Sequence, residues 1–258
     1  MSITIEIAGK SRHMNGWKPD HPDHRDKLMA IPTRPSALPT SRDNSSGCSP
    51  VEDQGDLGSC TANSTTSAME FIALKDKKIF TELSRLFVYY YTRKIEGTPP
   101  TEDSGAYLRN VMKCLRYFGA AAETKWPYDI SKFAIGPAYQ AIRDAQNHRI
   151  VSYMRCPGLD AIRSAITLGY TAVGGFSIPE SILGKKTSKD GIVSFPSSTD
   201  SILGGHAVHF VGYDDKKHLI KFQNSWGTKW GDKGYGYLPY RFVAEGLADD
   251  FWTIRSGT

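Results

Sequence analysis

The chain changes its periodicity once, and that switch limits the folds open to it. Between about residues 60 and 169 apolar residues recur at helical spacing. Thr65, Ala68, Met69 and Ile72 form one stripe, on an amphipathic helix that holds Cys60 in its first turn. Ser84 is placed to cap a second helix through Leu86, Phe87 and Tyr90, and Leu108, Val111, Met112, Leu115 and Phe118 mark a third, stopped by Gly119. Pro137 predicts a first helical position ahead of 138–145, and Leu159, Ile162, Ala165 and Ile166 give a last helix ended near Gly169. Beyond it, Thr171–Phe176, His206–Tyr213, His218–Gln223 and Gly234–Leu238 read as short strands between Gly, Asp and Lys turns. Helices first and strands second imply an α+β fold, with a helical lobe facing a β lobe.

A chain of 258 residues suffices for one large domain or two lobes sharing a cleft. The formal charge of +5 comes from scattered basic residues, not the dense aromatic-laced patch that nucleic acid selects, so no nucleic-acid partner is expected. No stretch has the apolar length of a membrane-spanning helix, and the start lacks a secretory hydrophobic region. The expectation is no membrane partner, and a protein that stays in the cytoplasm or leaves by another route. Of Cys48, Cys60, Cys114 and Cys156, one catalytic thiol would leave an odd number, a poor fit to a fully disulfide-bonded domain.

Three segments carry chemistry. In Gln54-Gly-Asp-Leu-Gly-Ser-Cys60, a thiol opens a helix, where unpaired backbone N–H groups favour thiolate. With an imidazolium nearby, such a placement lowers a thiol pKa from ~8.5 into roughly the 3.5–7.5 range. Alone, the cysteine would more often be a small buried hydrophobe. His206 opens an apolar strand after Gly204-Gly205, and Asn224-Ser-Trp-Gly follows the next strand. Each of these alone also has an ordinary structural explanation.

Together, Gln54, Cys60, His206 and the Asn224-Ser225-Trp226-Gly227 run resemble the papain-like cysteine peptidases, in spacing and in chain order. Leu83-Ser84, Asp103-Ser104-Gly105, Trp126-Pro127-Tyr128 and Gly234-Tyr235-Gly236 match further elements of that family. The tail Asp250-Phe251-Trp252 is closer to bacterial or protist members than to plant or lysosomal ones. Three departures stand out. Leu57 occupies a position where the family usually carries a disulfide cysteine, Thr61 follows the nucleophile where an aromatic is usual, and Gly205 precedes the histidine in place of Asp or Asn.

The resemblance implies a two-lobe fold, with a helical left lobe at about 46–147, an antiparallel β-barrel-like right lobe at about 148–258, and the cleft between them. It implies a peptidase domain over 36–258 that hydrolyses peptide bonds, as an endopeptidase, through a thioester on Cys60. His206 would be the acid and base, Asn224 its orienter, and Gln54 an oxyanion donor. Trp226 would shield the His206–Asn224 bond. Ser104, Gly105 and Ala106 would line one wall of the main side-chain pocket, with Gly175, Gly205 and Ala207 across from them. Small residues there leave room for a bulky apolar side chain. Neither metal nor cofactor is implied. Peptides or proteins are the expected partners, and the chain is expected to be a monomer.

Residues 1–35 are Pro-rich and read as an extended arm, a short propeptide lying either along the cleft, restraining activity, or against the back of the β lobe. Three rival readings are an acyl or peptidyl transferase on the same Cys-His-Asn site, a non-catalytic binding module, and a metal site using His21, His24 and cysteines. His13, His148 and His218 lie in polar stretches and are expected to be exposed, and His209 to face away from His206.

Overall fold

Ser84 illustrates how the helices are set. Its hydroxyl accepts the N–H of Phe87 at 3.1 Å, closing the first turn as an N-cap should. The computed structural model describes residues 4–7, 9–30 and 38–256. The expected boundary between residues 35 and 36 falls outside the described residues. In chain order the arm carries β1 (Thr4–Ile7), β2 (Lys10–His13) and β3 (Trp17–Lys18), and β4 (Ser41–Asp43) follows. The helical lobe holds α1 (Cys60–Lys75), α2 (Arg85–Ile95), β5 (Ala106–Tyr107), α3 (Leu108–Tyr117) and α4 (Tyr139–Ala145). The β lobe is built from β6 (Ile150–Arg155), α5 (Leu159–Thr167), β7 (Ala172–Pro179), α6 (Lys185–Asp190), β8 (Ile202–Asp214), β9 (Leu219–Gln223), β10 (Tyr235–Pro239), α7 (Tyr240–Ala244) and β11 (Ala248–Ser256).

The β-lobe strands form one antiparallel sheet in the order β10-β9-β8-β7-β11-β6, with β4 also paired to β8. Phe176, Phe210, Phe222, Trp230 and Phe242 fill its core. A second core lies among the helices, around Leu86, Phe87, Val111 and Leu115. Between the two lies α1. Its sequence reads as amphipathic, yet Cys60 through Ala68 are all buried. Its small polar residues allow this by bonding to their own helix, Thr65 and Thr66 donating to the carbonyls of Thr61 and Ala62, each at 2.8 Å.

This is the α+β, two-lobe arrangement expected. Helices end where the glycines foretold, Gly119 and Gly169 both taking the left-handed conformation with φ +80° and +76°. Pro137 lies one residue before the cap Ala138 of α4, not at its first helical position. Periodicity did not reveal β6 or β11, because neither alternates: β11 is buried almost throughout, packed between β6 and β7.

The arm is more than an appendage. Met14 enters the β-lobe core and Trp17 the helical-lobe core, each nearly inaccessible to solvent. Burying such side chains is worth roughly 1.5–3 kcal/mol each, enough to hold an otherwise extended segment in one place.

Candidate active site

Cys60 is the first residue of α1, so the free backbone donors of that helix end surround its sulfur. Its Sγ also accepts the N–H of Ala207, at 3.3 Å, from β8 in the other lobe. The residue before Ala207 is His206. The sulfur and the histidine are thus brought together by contact between α1 and β8, two elements far apart in sequence.

His206 is held on two sides. Its Nε2 bonds to Oδ1 of Asn224 at 2.7 Å, and its ring stacks on Trp226 with centroids 4.5 Å apart and planes 28° apart. Since Asn224 presents an acceptor there, Nε2 carries the proton. Asn224 is fixed in turn by its backbone N–H to Gly234 (2.9 Å) and by Oδ1 accepting from the N–H of Ser225 (2.9 Å). Gln54 is buried on the loop that leads to Cys60: its Nε2 donates to the Leu57 carbonyl (3.0 Å) and its Oε1 accepts from Ser225 (2.6 Å). The loop of Cys60 and the run that begins with Asn224 are thereby tied together.

Both titrating groups sit in dry protein. Burial pushes the Cys60 thiol up to about 12, against the backbone N–H groups of Ala207 and Thr61. Burial likewise pulls His206 down to about 4, against its bond to Asn224. Burial thus works against ionising either group while the arm covers them.

Closure is done by residues 12–20. Arg12, fully buried, reaches Asp53, the Gly55 carbonyl (3.1 Å) and the Trp226 carbonyl (3.0 Å). His13 is buried against Gly58 and faces Asp103 at 3.9 Å; its expected exposure is wrong, because the arm does not run over open surface. His148 is half-buried and His218 exposed, and His209 is buried with Nδ1 on Gln223 at 3.0 Å.

Next, Met14 accepts the N–H of Gly205 at 2.8 Å, and Gly16 accepts that of Ala106 at 3.0 Å. The segment thus bridges the two walls expected of a substrate channel. Gly16 passes directly over Cys60: a Cβ built on it would lie 2.4 Å from Sγ. Trp17 lies flat on Gly175 and Gly205, where added Cβ atoms would overlap the indole at 2.0 and 2.8 Å. Every residue expected to form the site is in this neighbourhood. Ser104, whose hydroxyl is engaged by the Gly105 carbonyl at 3.0 Å, and Ala106 flank the left-handed Gly105 (φ +66°), where any Cβ would strike the Asn15 carbonyl.

Two residues escaped the sequence reading. Sequence alone assigns Asp103 no role beyond the wall. Its carboxylate accepts the Gly58 N–H at 2.9 Å and the Tyr89 hydroxyl, joining this wall to the loop that leads to Cys60. All four cysteines are free. Asp250 lies at the end of the Trp17 slot and accepts the indole N–H at 3.2 Å. No sequence signal marks Asp250 for that position, since it depends on a bulge in β11.

Among the described residues no His, Cys, Asp or Glu cluster is arranged to hold a metal, and no helix is long and apolar enough to cross a membrane. The family model described as papain family cysteine protease matches residues 38–245. An uncharacterized peptidase C1-like protein of Acanthamoeba polyphaga mimivirus is 39% identical over 217 residues, covering 80% of this chain and 70% of that protein. The cysteine protease Amb a 11.0101 of Ambrosia artemisiifolia is 30% identical over 203 residues, and only 49% of its length is spanned. Among solved structures, xylellain, a cysteine protease from Xylella fastidiosa, superposes with a TM-score of 0.86 at 36% identity, covering 95% of this chain and 96% of that one.

Proposed function

Because the chain belongs to the papain family of cysteine proteases, we propose that Cys60, His206, Asn224 and Gln54 perform its peptide hydrolysis and that its N-terminal arm restrains them. The observation that carries the first part is the convergence of the Cys60 sulfur, resting on the Ala207 N–H at 3.3 Å, with a neighbouring imidazole clamped to Asn224 at 2.7 Å.

With the arm displaced, water re-enters and the proton of Cys60 passes to His206, whose imidazolium Asn224 and Trp226 hold in orientation. The thiolate attacks the substrate carbonyl, forming an S–C bond, and electrons move onto the carbonyl oxygen. The Gln54 amide, which has one N–H left after its bond to Leu57, and the Cys60 backbone N–H donate to that oxygen. Donors so aimed are worth ~2.7–4 kcal/mol each. The tetrahedral species collapses as His206 gives its proton to the leaving amine, and a thioester remains. His206 then takes a proton from water as the water attacks, releasing the acid and the thiol.

The arm itself lies in the cleft on both sides of Gly16, from Arg12 on the Trp226 carbonyl to Trp17 on Asp250, which supports an endopeptidase. The site is complete within one chain, which supports a monomer. Neither metal nor cofactor enters any step. Restraint by residues 1–35 rests on their described part: Gly16 occupies the place a scissile residue would take.

The test is hydrolysis of internally quenched peptides, with products identified by mass spectrometry in the presence of a large excess of an added amine. Expected are free acids, lost entirely in Cys60→Ala. Amine-capped products in their place would favour the transferase instead.

A further inference from the structure

The arm shows what the main side-chain slot holds well, and that occupant is a tryptophan with its N–H satisfied. The slot's flat side is Gly175 and Gly205, with no Cβ to lift a ring off the backbone. Trp17 lies there, 6% exposed, and its neighbour Gly16 covers the nucleophile. At the far end its Nε1 donates to Oδ2 of Asp250 at 3.2 Å.

Asp250 is an unusual residue. It takes a left-handed backbone (φ +57°) at a register shift in β11, between Asp249 and Trp252, and its side chain is 1% exposed. Non-glycine residues rarely adopt that conformation, and bulges commonly redirect a side chain. Its Oδ1 is taken by Arg155 at 2.8 Å. Its Oδ2 takes two donors, and both come from the arm: Trp17 Nε1 and the Asp20 N–H (2.6 Å). When the arm leaves, Oδ2 loses both partners at once. A buried carboxylate oxygen without a donor is costly, so a bound substrate that supplies one gains over one that does not.

The donor should be neutral. Asp250 is already paired with Arg155 through Oδ1, and the arm meets its other oxygen with two uncharged N–H groups, Trp17 Nε1 and the Asp20 amide.

The geometry points to Asp250 as a specificity-determining residue that selects tryptophan, the aromatic side chain with an N–H at its far edge, at the substrate position next to the cleaved residue. This rests on the reading of the cleft as a peptidase site, and it narrows the bulky apolar preference expected from the small wall residues.

The test uses the full chain with acetyl-X-Ala coumarin amides, X being Trp, Phe or Arg. Ratios of kcat/KM between substrates on one protein are taken, so the fraction of molecules covered by the arm cancels. Expected is Trp over Phe by about 10- to 100-fold, since a site built around a hydrogen bond rejects analogues that lack it. Asp250→Ala should bring that ratio to within about threefold of one, while Asp250→Asn, which keeps an acceptor oxygen, should retain most of it. A Trp/Phe ratio near one in the parent, a ratio unchanged in Asp250→Ala, or Arg preferred over Trp overturns the inference. Should Asp250→Ala not fold, the parent ratio and Asp250→Asn still decide. Hydrolysis that depends on Cys60 but ignores X sinks this inference alone; no Cys60-dependent hydrolysis sinks the peptidase reading with it.

Discussion

Gly16 rests on the sulfur of Cys60 with no space for even one more carbon: a Cβ there would meet Sγ at 2.4 Å and the Gly58 carbonyl at 3.1 Å. Neither partner can yield easily, since Gly58 is backbone of the nucleophile loop and Cys60 begins a buried helix. Gly16→Ala should therefore unseat the arm. Overpacking of this kind costs about 1–3 kcal/mol, which lowers the covered-to-open ratio by about 5- to 150-fold. Peptide turnover by the full chain should rise accordingly, with unchanged melting of the body. Turnover equal to the parent's would mean that the arm does not limit access.

The arm's attachment should depend on pH through Asp20. Its carboxyl is raised to about 7 by burial and then by the neighbouring Asp250, against bonds from Arg109 and Trp252. Arg155 and Asp26 complete the charged surroundings. A carboxyl whose docked pKa lies above its free value favours docking at low pH. Its contribution is complete below about 3.8 and is lost as pH rises through about 7. The arm should hold more tightly in acid. The ratio of probe access to Cys60 between the parent and Asp20→Asn, which stays neutral, should change across that window. A ratio flat from pH 4 to 8 would exclude this role.

Asn224→Ala removes the acceptor that orients His206 without touching the sulfur. The ring keeps its stack on Trp226, so folding should be little affected. Because a positioned general acid and base is worth about 10²–10⁴-fold, a misoriented one should lower kcat by about 10- to 100-fold with KM nearly unchanged. A pure KM effect would place Asn224 in binding instead.

In the helical lobe, Arg85 and Glu70 form a buried ion pair at 2.9 Å, with Glu52 at 3.2 Å from the same guanidinium nitrogen. Arg85→Ala leaves Glu70 buried with only the Leu83 N–H as partner. Breaking one side of such a pair costs about 3–5 kcal/mol. Denaturant unfolding should show a loss of that size, and a loss below about 1 kcal/mol would mean that water readily reaches Glu70.

The sequence was most legible where one residue sets local geometry. Ser84 as a cap and Gly119 and Gly169 as stops needed no tertiary information. The same holds for Cys60 at a helix start, because the loop and helix that place it are contiguous. It was less legible where burial comes from partners distant in sequence. The helix α1 reads as amphipathic, yet both lobes cover it; β11 reads as a tail, yet lies inside a sheet. The arm's prolines suggested an extended chain, and its course between 12 and 20 is extended. Nothing in residues 1–35 alone announces that Met14 and Trp17 would each find a core, since both pockets are assembled by the body. Asp250 was invisible as a slot residue for the same reason: its orientation comes from a bulge that appears only once β11 pairs with β7.

The most direct measurement is covalent mapping. The full chain is treated with a peptidyl epoxide at mildly acidic pH, and the modified residue is identified by mass spectrometry in the parent, Gly16→Ala and His206→Ala. Expected is labelling of Cys60 alone, faster in Gly16→Ala and abolished in His206→Ala, with Cys48, Cys114 and Cys156 untouched. Equal labelling of the four cysteines, or Cys60 labelling indifferent to His206, would contradict a thiol activated by that imidazole.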